Sequence, residues 1–288
     1  MNQKARFTAT PHTDALIDLA LSEDIGCGDA TGDALIPFGA IAEMNLVARE
    51  TLVLCGQPVV DRVIQRFGPT FVEVEWAGTD GQVLQSGERI ATLRGLLSEL
   101  LILERTVLNF LQRMSGVATL TRRYVDAIKE TDARLVDTRK TLPAYRSLDK
   151  YATRVGGAAN HRVSLDGGIL IKENHLVATG GIETAIASAR QQSSHSLRIE
   201  VEVENESEFE QALRANADVI MLDNFSPDDV RKAVLMADGK AVLEASGGIT
   251  LDNIAAYADT GVNLIAVGAI THSATAVDIA AEVIYGKR

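Results

Sequence analysis

From about residue 134 to residue 270 the chain keeps one beat: a short apolar strand, then a helical stretch, then another strand. The strands read RLVDT (134–138), GGILIKEN (167–174), LRIEVEVE (197–204), ADVIMLDN (217–224), KAVLEASGG (240–248) and NLIAVGAI (263–270). Between the later ones lie GIETAIASARQQ, ESEFEQALRAN, SPDDVRKAVLMA and TLDNIAAYADTG, which read as helices. Strand–helix alternation implies a parallel sheet. The later strands start about 20–23 residues apart, a tight spacing that suits a closed or nearly closed barrel.

In a barrel the C-terminal strand ends share one face, where such enzymes place their chemistry. Here those ends are polar. The first exits into Asp137, Thr138, Arg139 and Lys140, and the second into Lys172, Glu173, Asn174 and His175. The third carries Glu200, Glu202 and Glu204, and the fourth exits into Asp223 and Asn224. The fifth exits into Glu244, Ser246, Gly247 and Gly248, and the sixth into Gly268, Thr271 and His272. The last two turns, ASGG and VGAITHS, are small and glycine-rich. They offer backbone N–H groups of the kind that bind phosphate.

Charge is segregated along the same stretch. Residues 137–175 carry a net charge of +3, and residues 199–244 a net of −8, in a chain whose total is −11. A basic cluster inside an acidic protein suits an anionic substrate. Facing carboxylates suit Mg²⁺, which takes one or two of them together with substrate phosphates. The residues alone thus predict a barrel enzyme that handles a phosphorylated, multiply anionic substrate with Mg²⁺.

The front third differs. Asp14–Leu21 reads as a short amphipathic helix. EDIGCGDATG (23–32) follows as a turn-rich stretch, either a ligand loop or a helix exit into an irregular crossover. From Ala42 to Arg94 the pattern becomes β-like; Phe71, Val72, Val74 and Trp76 nearly alternate with Glu73 and Glu75. PVVDRVIQRFG reads as a helix. DGQVLQSGERIATLRG looks like a turn of a biotinyl or lipoyl carrier, but the lysine such a carrier needs at its hairpin tip is absent. Ser98–Glu130 is a long helical pattern rich in buried-type leucines, with Gly116 expected to break or bend it. Its arginines, Arg105, Arg113, Arg122 and Arg123, default to solvated or ion-paired roles.

Composition closes off other classes. An acidic chain with 5% aromatics and no basic run is a poor nucleic-acid binder. No apolar run approaches the roughly 20 residues of a membrane span. The N-terminus lacks the apolar core of a secretory signal. Cys27 and Cys55 form no CxxC pair, and two free thiols without a signal suit a cytoplasmic protein.

Taken together, DTRKTLPAYR (137–146), GGAANHR (156–162), LIKENH (170–175), EVEVE (200–204), MLDN (221–224), EASGGI (244–249) and VGAITHS (267–273), with EDIGCGD (23–29) and ERTVLNFLQRMSGVAT (104–119) upstream, resemble the quinolinate phosphoribosyltransferase family. The likeness runs from about residue 14 to about 285. It implies an N-terminal α/β sandwich and a C-terminal incomplete (open) α/β barrel of TIM type. The expected division is 1–114, including a linking helix, and 115–274, with a C-terminal helix over 275–288 packing back on the first domain. It also implies the reaction: quinolinate and phosphoribosyl pyrophosphate (PRPP) give nicotinate mononucleotide, pyrophosphate and CO₂, the de novo entry to NAD. A homodimer with a shared active site is expected, one subunit helping to close its partner's site.

By the same resemblance, Arg139 and Arg162 bind the two quinolinate carboxylates with His161 beside them, and Thr138 helps position one. Arginine forks suit carboxylates better than lysine does. Lys140, Lys172, Glu202 and Asp223 form the catalytic set. Glu202 and Asp223 handle Mg²⁺, partly through PRPP or water, and the ribose end of PRPP. Ser246, Gly247, Gly248, Gly268 and His272 cradle the 5′-phosphate. Arg105 becomes an arginine presented to the neighbouring subunit's site. His175 stands between a role in the core or in support of a site residue and direct substrate contact, and His12 and His195 read as surface residues.

Two positions depart from the family pattern. Ala144 stands where a glycine usually follows the proline of the DTRKT loop, and Ala158 stands where a third glycine is common before NHR. Both would stiffen their loops. A monoacid-specific nicotinate phosphoribosyltransferase would not need Arg105, Arg139 and Arg162 together. A non-catalytic relative of a metal-uptake cluster would lose parts of DTRK, NHR and KENH, which are intact. The open-sheet class of PRPP enzymes would show paired acids and a Thr-Gly loop after an apolar run, which is absent.

Overall fold

The computed structural model describes residues 5–68, 70 and 72–286. Phe71, assigned by alternation to a strand, lies outside the described residues. In chain order the elements are α1 (Pro11–Ile25), α2 (Ala30–Leu35), β1 (Ile41–Ala48), β2 (Leu52–Val53), α3 (Gln57–Phe67), β3 (Glu73–Trp76), β4 (Val83–Leu84), β5 (Arg89–Leu96) and the long α4 (Leu97–Ala127). Then come β6 (Arg134–Val136), α5 (Arg146–Gly156), β7 (Ile169–Ile171), α6 (Glu173–Thr179), α7 (Ile182–Gln192) and β8 (Ile199–Val203). The chain finishes with α8 (Glu206–Arg214), β9 (Val219–Asp223), α9 (Pro227–Ala237), β10 (Val242–Ser246), α10 (Ile254–Ala258), β11 (Leu264–Ala266), α11 (Ala269–His272) and β12 (Ile279–Ile284).

These form two compact units. The first gathers the chain through Arg122, Leu142–Gly157 and the stretch from Ser273 onward; the second holds Arg123–Thr141 and Ala158–His272.

The first unit is built on an antiparallel sheet in the order β12-β1-β5-β3. Met44, Leu46 and Ala48 alternate inward along β1, and Val59, Val60, Val63 and Ile64 line one face of α3. They share a core with Leu100, Leu103, Val107, Leu111 and Met114 of α4. Pro11 and the Thr10 side chain, which accepts the Thr13 N–H, start α1 three residues earlier than its apolar pattern suggests. The stretch 23–32 is less loop-like than its glycines imply. α1 ends at Gly26, and the Asp29 carboxylate, accepting the Thr31 N–H at 3.1 Å, starts α2.

Three features correct the sequence reading. A C-terminal helix is expected over 275–288; within its described part, Ile279–Ile284 instead forms the strand β12, paired antiparallel with β1 from Ala48↔Ile279 to Glu43↔Ile284. Its alanines and glutamate favour a helix weakly, and an open sheet edge overrides that preference. Residues 142–157 belong with the first unit. The Tyr145 ring stacks on Phe110 with centroids 6.0 Å apart, and Arg113 donates to Asp149 (3.2 Å) and to the Ala274 carbonyl (2.8 Å).

Gly116, finally, does not break α4, which runs unbroken through it. A side chain there would land on the backbone of Thr275 and Ala276. The glycine is a point of close approach between helix and returning chain. Gly116→Val should therefore cost at least about 3 kcal/mol, because backbone cannot yield as a side-chain tip does. Urea unfolding measures this directly; an unchanged midpoint would refute the reading.

The second unit is the parallel sheet β6-β11-β10-β9-β8-β7, every neighbouring pair parallel, with β6 and β7 at its two edges. It is an open α/β barrel. Side chains alternate along each strand. On β8, Ile199, Val201 and Val203 are buried and lie on the opposite face from Glu200 and Glu202. That alternation places acids on one side of the barrel wall and apolar residues on the other.

Candidate active site

The strand ends carry the expected residues to the C-terminal side of the parallel sheet. After β6, the Thr138 hydroxyl accepts the Lys140 N–H at 3.0 Å, and the Lys140 carbonyl accepts from the Thr271 hydroxyl at 2.8 Å. The Lys140 stem and the His272 ring both lie close over Gly268, so even a methyl group there would crowd both side chains. The loops after β6 and β11 thus meet.

A second cluster joins β7 to β8. The Lys172 ammonium pairs with the Glu202 carboxylate. Lys172 is half exposed and Glu202 mostly covered, so the pair sits at a rim with its acid turned inward. His175 is not a core residue, and it supports a neighbouring one. It is exposed, and its Nδ1 accepts the Lys172 N–H at 3.0 Å, capping α6 and steadying the residue that carries the ammonium.

A third cluster joins β9 to β10. Asp223 accepts from the Asn224 side chain at 2.7 Å, and the Asn224 N–H donates to the Ser246 carbonyl at 2.9 Å. Gly247 and Gly248 have φ of 91° and 61°, and a side chain at Gly247 would strike Asn224. Asn224, itself at φ 58°, stands in the sequence as a polar strand end with no role assigned. It locks the phosphate-type loop to the acid beside it.

The fourth cluster lies deepest. Asp137, fully buried, accepts from the His161 N–H at 2.8 Å and from the Asn160 amide at 2.7 Å. His161 Nε2 faces Glu200 at 3.1 Å and Glu244 at 3.7 Å. Burial, then the neighbouring Glu200 carboxylate, pushes Glu244 well above the usual carboxylate range, and His161 pulls the other way. Next along the chain, Arg162 donates from Nη1 to the Gly168 carbonyl at 2.8 Å. Desolvation and the charge of Arg139 both depress the Arg162 guanidinium, against the pull of Glu200. A guanidinium that is partly out of water and beside a like charge suits an anionic ligand.

Arg105 is the one expected site residue outside this unit; it is exposed on α4. Arg113 and Arg122 have structural partners, the latter donating to the Gly156 carbonyl at 2.9 Å. His12 faces the Ala144 carbonyl at 3.0 Å, and His195 is exposed. Of the two family departures, Ala144 has φ 60°, a left-handed backbone that costs a non-glycine residue about 1 kcal/mol. Ala158 is buried without such strain.

Glu202 and Asp223 offer hard oxygen donors on neighbouring strands, the type Mg²⁺ takes with phosphate oxygens and water. The donor set fits that ion with a phosphorylated ligand completing it. Glu200 and Glu244 also approach His161 closely, but that trio includes an imidazole already bonded on both sides.

The chain matches two family models: the quinolinate phosphoribosyl transferase N-terminal domain over residues 29–115 and the C-terminal domain over 117–282. A probable nicotinate-nucleotide pyrophosphorylase [carboxylating] of Bacillus subtilis is 42% identical over 91% of this chain and 90% of its own. The nicotinate-nucleotide pyrophosphorylase [carboxylating] of Mycobacterium leprae is 41% identical over 90% of this chain and 93% of its own. The solved nicotinate-nucleotide pyrophosphorylase of Francisella tularensis superposes with a TM-score of 0.93 at 39% identity, covering 99% of this chain and all of that one.

Proposed function

Since the chain belongs to the quinolinate phosphoribosyltransferase family, we propose that it joins quinolinate to PRPP, giving nicotinate mononucleotide, pyrophosphate and CO₂ for de novo NAD synthesis. The observation that carries this is that Arg162 is partly desolvated and feels the like charge of Arg139 at the same mouth of the barrel unit. A ligand with two adjacent carboxylates answers two crowded guanidinium groups; a monoacid answers one.

The chemistry follows from charge. The pyridine nitrogen bonds to the anomeric carbon of PRPP as the bond from that carbon to pyrophosphate breaks. Positive charge builds on the ribose, and Glu202 and Asp223 are the carboxylates assigned to stabilise it. Lys140 and Lys172 meet phosphate or carboxylate charge. Mg²⁺, held by Glu202 and Asp223 partly through PRPP or water, would neutralise the departing pyrophosphate. The pyridinium then accepts the electron pair left when the adjacent carboxylate departs as CO₂, and a proton replaces it. Arg139 and Arg162, with Thr138, need only orient and desolvate the carboxylates. Ser246, Gly247, Gly248, Gly268 and His272 receive the 5′-phosphate.

The protein is expected to work as a homodimer with a shared site. The first unit leaves Leu19, Leu35, Phe38 and Ile41 exposed, an apolar surface that a second copy would cover. Arg105 is exposed on the same unit. Mixing Arg105→Ala with Lys172→Ala subunits should then recover about a quarter of wild-type activity, because half of the dimers are mixed and each has one intact site. No recovery after verified exchange would count against sharing. Among the described residues no helix is long and apolar enough to cross a membrane; a cytoplasmic location is the reading that suits a chain with two free cysteines.

Incubation with quinolinate, PRPP and Mg²⁺ tests the reaction. Equal yields of nicotinate mononucleotide and CO₂, absent without Mg²⁺, are expected. Product from nicotinate but not quinolinate would favour the monoacid enzyme. No product from either would favour the accessory protein.

A further inference from the structure

His161 uses both ring nitrogens inside the protein. Its Nδ1 accepts the backbone N–H of Arg162 at 2.7 Å. Its Nε2 faces Glu200 Oε2 at 3.1 Å, with Glu244 Oε1 behind at 3.7 Å. A nitrogen that accepts carries no proton, so the ring proton sits on Nε2 and is donated to Glu200. The backbone N–H of the same histidine is held by Asp137. Residues 160–162 therefore hang from three acids that are buried in the barrel unit: Asp137, Glu200 and Glu244.

Buried acids are costly to keep, and Oε1 of both glutamates lacks a hydrogen-bond partner among the described residues. Both face the imidazole, and the imidazole also accepts from the residue that carries the guanidinium. Arg162 Nε is likewise buried and lacks a hydrogen-bond partner among the described residues. The arginine's aim thus depends on its backbone anchor and on the single bond from Nη1 to the Gly168 carbonyl.

We propose that Glu200 and Glu244 are positioning residues that fix the aim of Arg162 through His161, and that His161 is a neutral strut, not a cation offered to the substrate. This rests on the reading of quinolinate as the substrate. It assigns work to two acids that touch neither PRPP nor metal in that reading. It also removes one positive charge from the carboxylate pocket, leaving recognition to the arginines.

Two measurements test it on the full-length enzyme. Nitrogen-15 NMR of the His161 ring should show one protonated and one unprotonated nitrogen, with and without quinolinate. A ring that becomes doubly protonated when quinolinate binds overturns the strut. In kinetics, Glu200→Ala should raise the quinolinate KM about 30-fold and leave the PRPP KM within about twofold, the size expected for one lost charge-assisted bond. Glu200→Gln keeps an acceptor for the Nε2–H and should recover most of that loss. Glu244→Ala should show the same substrate-selective pattern at smaller amplitude. Equal rises for both substrates, a glutamine as harmful as alanine, or no change in the Glu244 variant would each overturn the role assigned. A wild-type enzyme that ignores quinolinate would instead sink the functional reading, and the ring-nitrogen result in the free protein would still stand.

Discussion

Arg162→Ala should raise the quinolinate KM by roughly 10²–10³-fold while leaving the PRPP KM nearly unchanged. The size follows from what the guanidinium is. It is partly desolvated, pinned by one bond to the Gly168 carbonyl, and crowded by the like charge of Arg139. A carboxylate entering there takes a bidentate, charge-assisted pair from a fork already in place, so little rotamer entropy is lost on binding. The same substitution also relieves the repulsion on Arg139, which keeps the expected loss below that of two independent ion pairs. Arg162→Lys should recover little, because an ammonium cannot supply two parallel donors. Steady-state kinetics in each substrate, with calorimetric titration of quinolinate, would decide. A matched rise in both KM values would mean that the arginine holds the loop and not the ligand.

Arg162 is visible in the sequence only through the NHR motif of the resembled family, the strand ends are visible from periodicity, and the supports from neither. Strand–helix alternation fixes which strand ends share a face, so Arg139, Lys140, Lys172, Glu202 and Asp223 could be assigned to one mouth from periodicity alone. Glu200 and Glu244 obey the same alternation, but a polar residue in a central strand reads alike whether it meets ligand or another side chain. Only the distances to His161 separate the two. Tertiary contact also defeated three local readings. Gly116 looks like a helix breaker and is a contact with the returning chain. The alanine-rich tail looks helical and is an edge strand. Residues 142–157 sit inside the barrel's stretch of sequence, yet Tyr145, Asp149 and Tyr151 bind them to the first unit. No periodicity encodes where a segment docks.

Glu202→Ala should lower kcat by roughly 10²–10³-fold with little effect on quinolinate binding, the range for losing one preorganised electrostatic stabiliser. Glu202 lies on the same strand face as Glu200 and pairs with Lys172 from the preceding strand end. The pairing aims the carboxylate before substrate arrives, so little reorganisation is needed when the ribose becomes cationic. Removing the acid also leaves the ammonium without its partner. The losses should therefore not add: the Glu202→Ala, Lys172→Ala double variant should fall short of the summed single effects by at least about 1 kcal/mol. Glu202→Gln separates charge from shape, since an amide keeps the size and one acceptor but no charge; it should behave like the alanine variant. Full additivity across the cycle would mean that the ion pair is not kept in the working enzyme. An active glutamine variant would mean that the position serves geometry, and that the charge stabilising the ribose must come from Asp223.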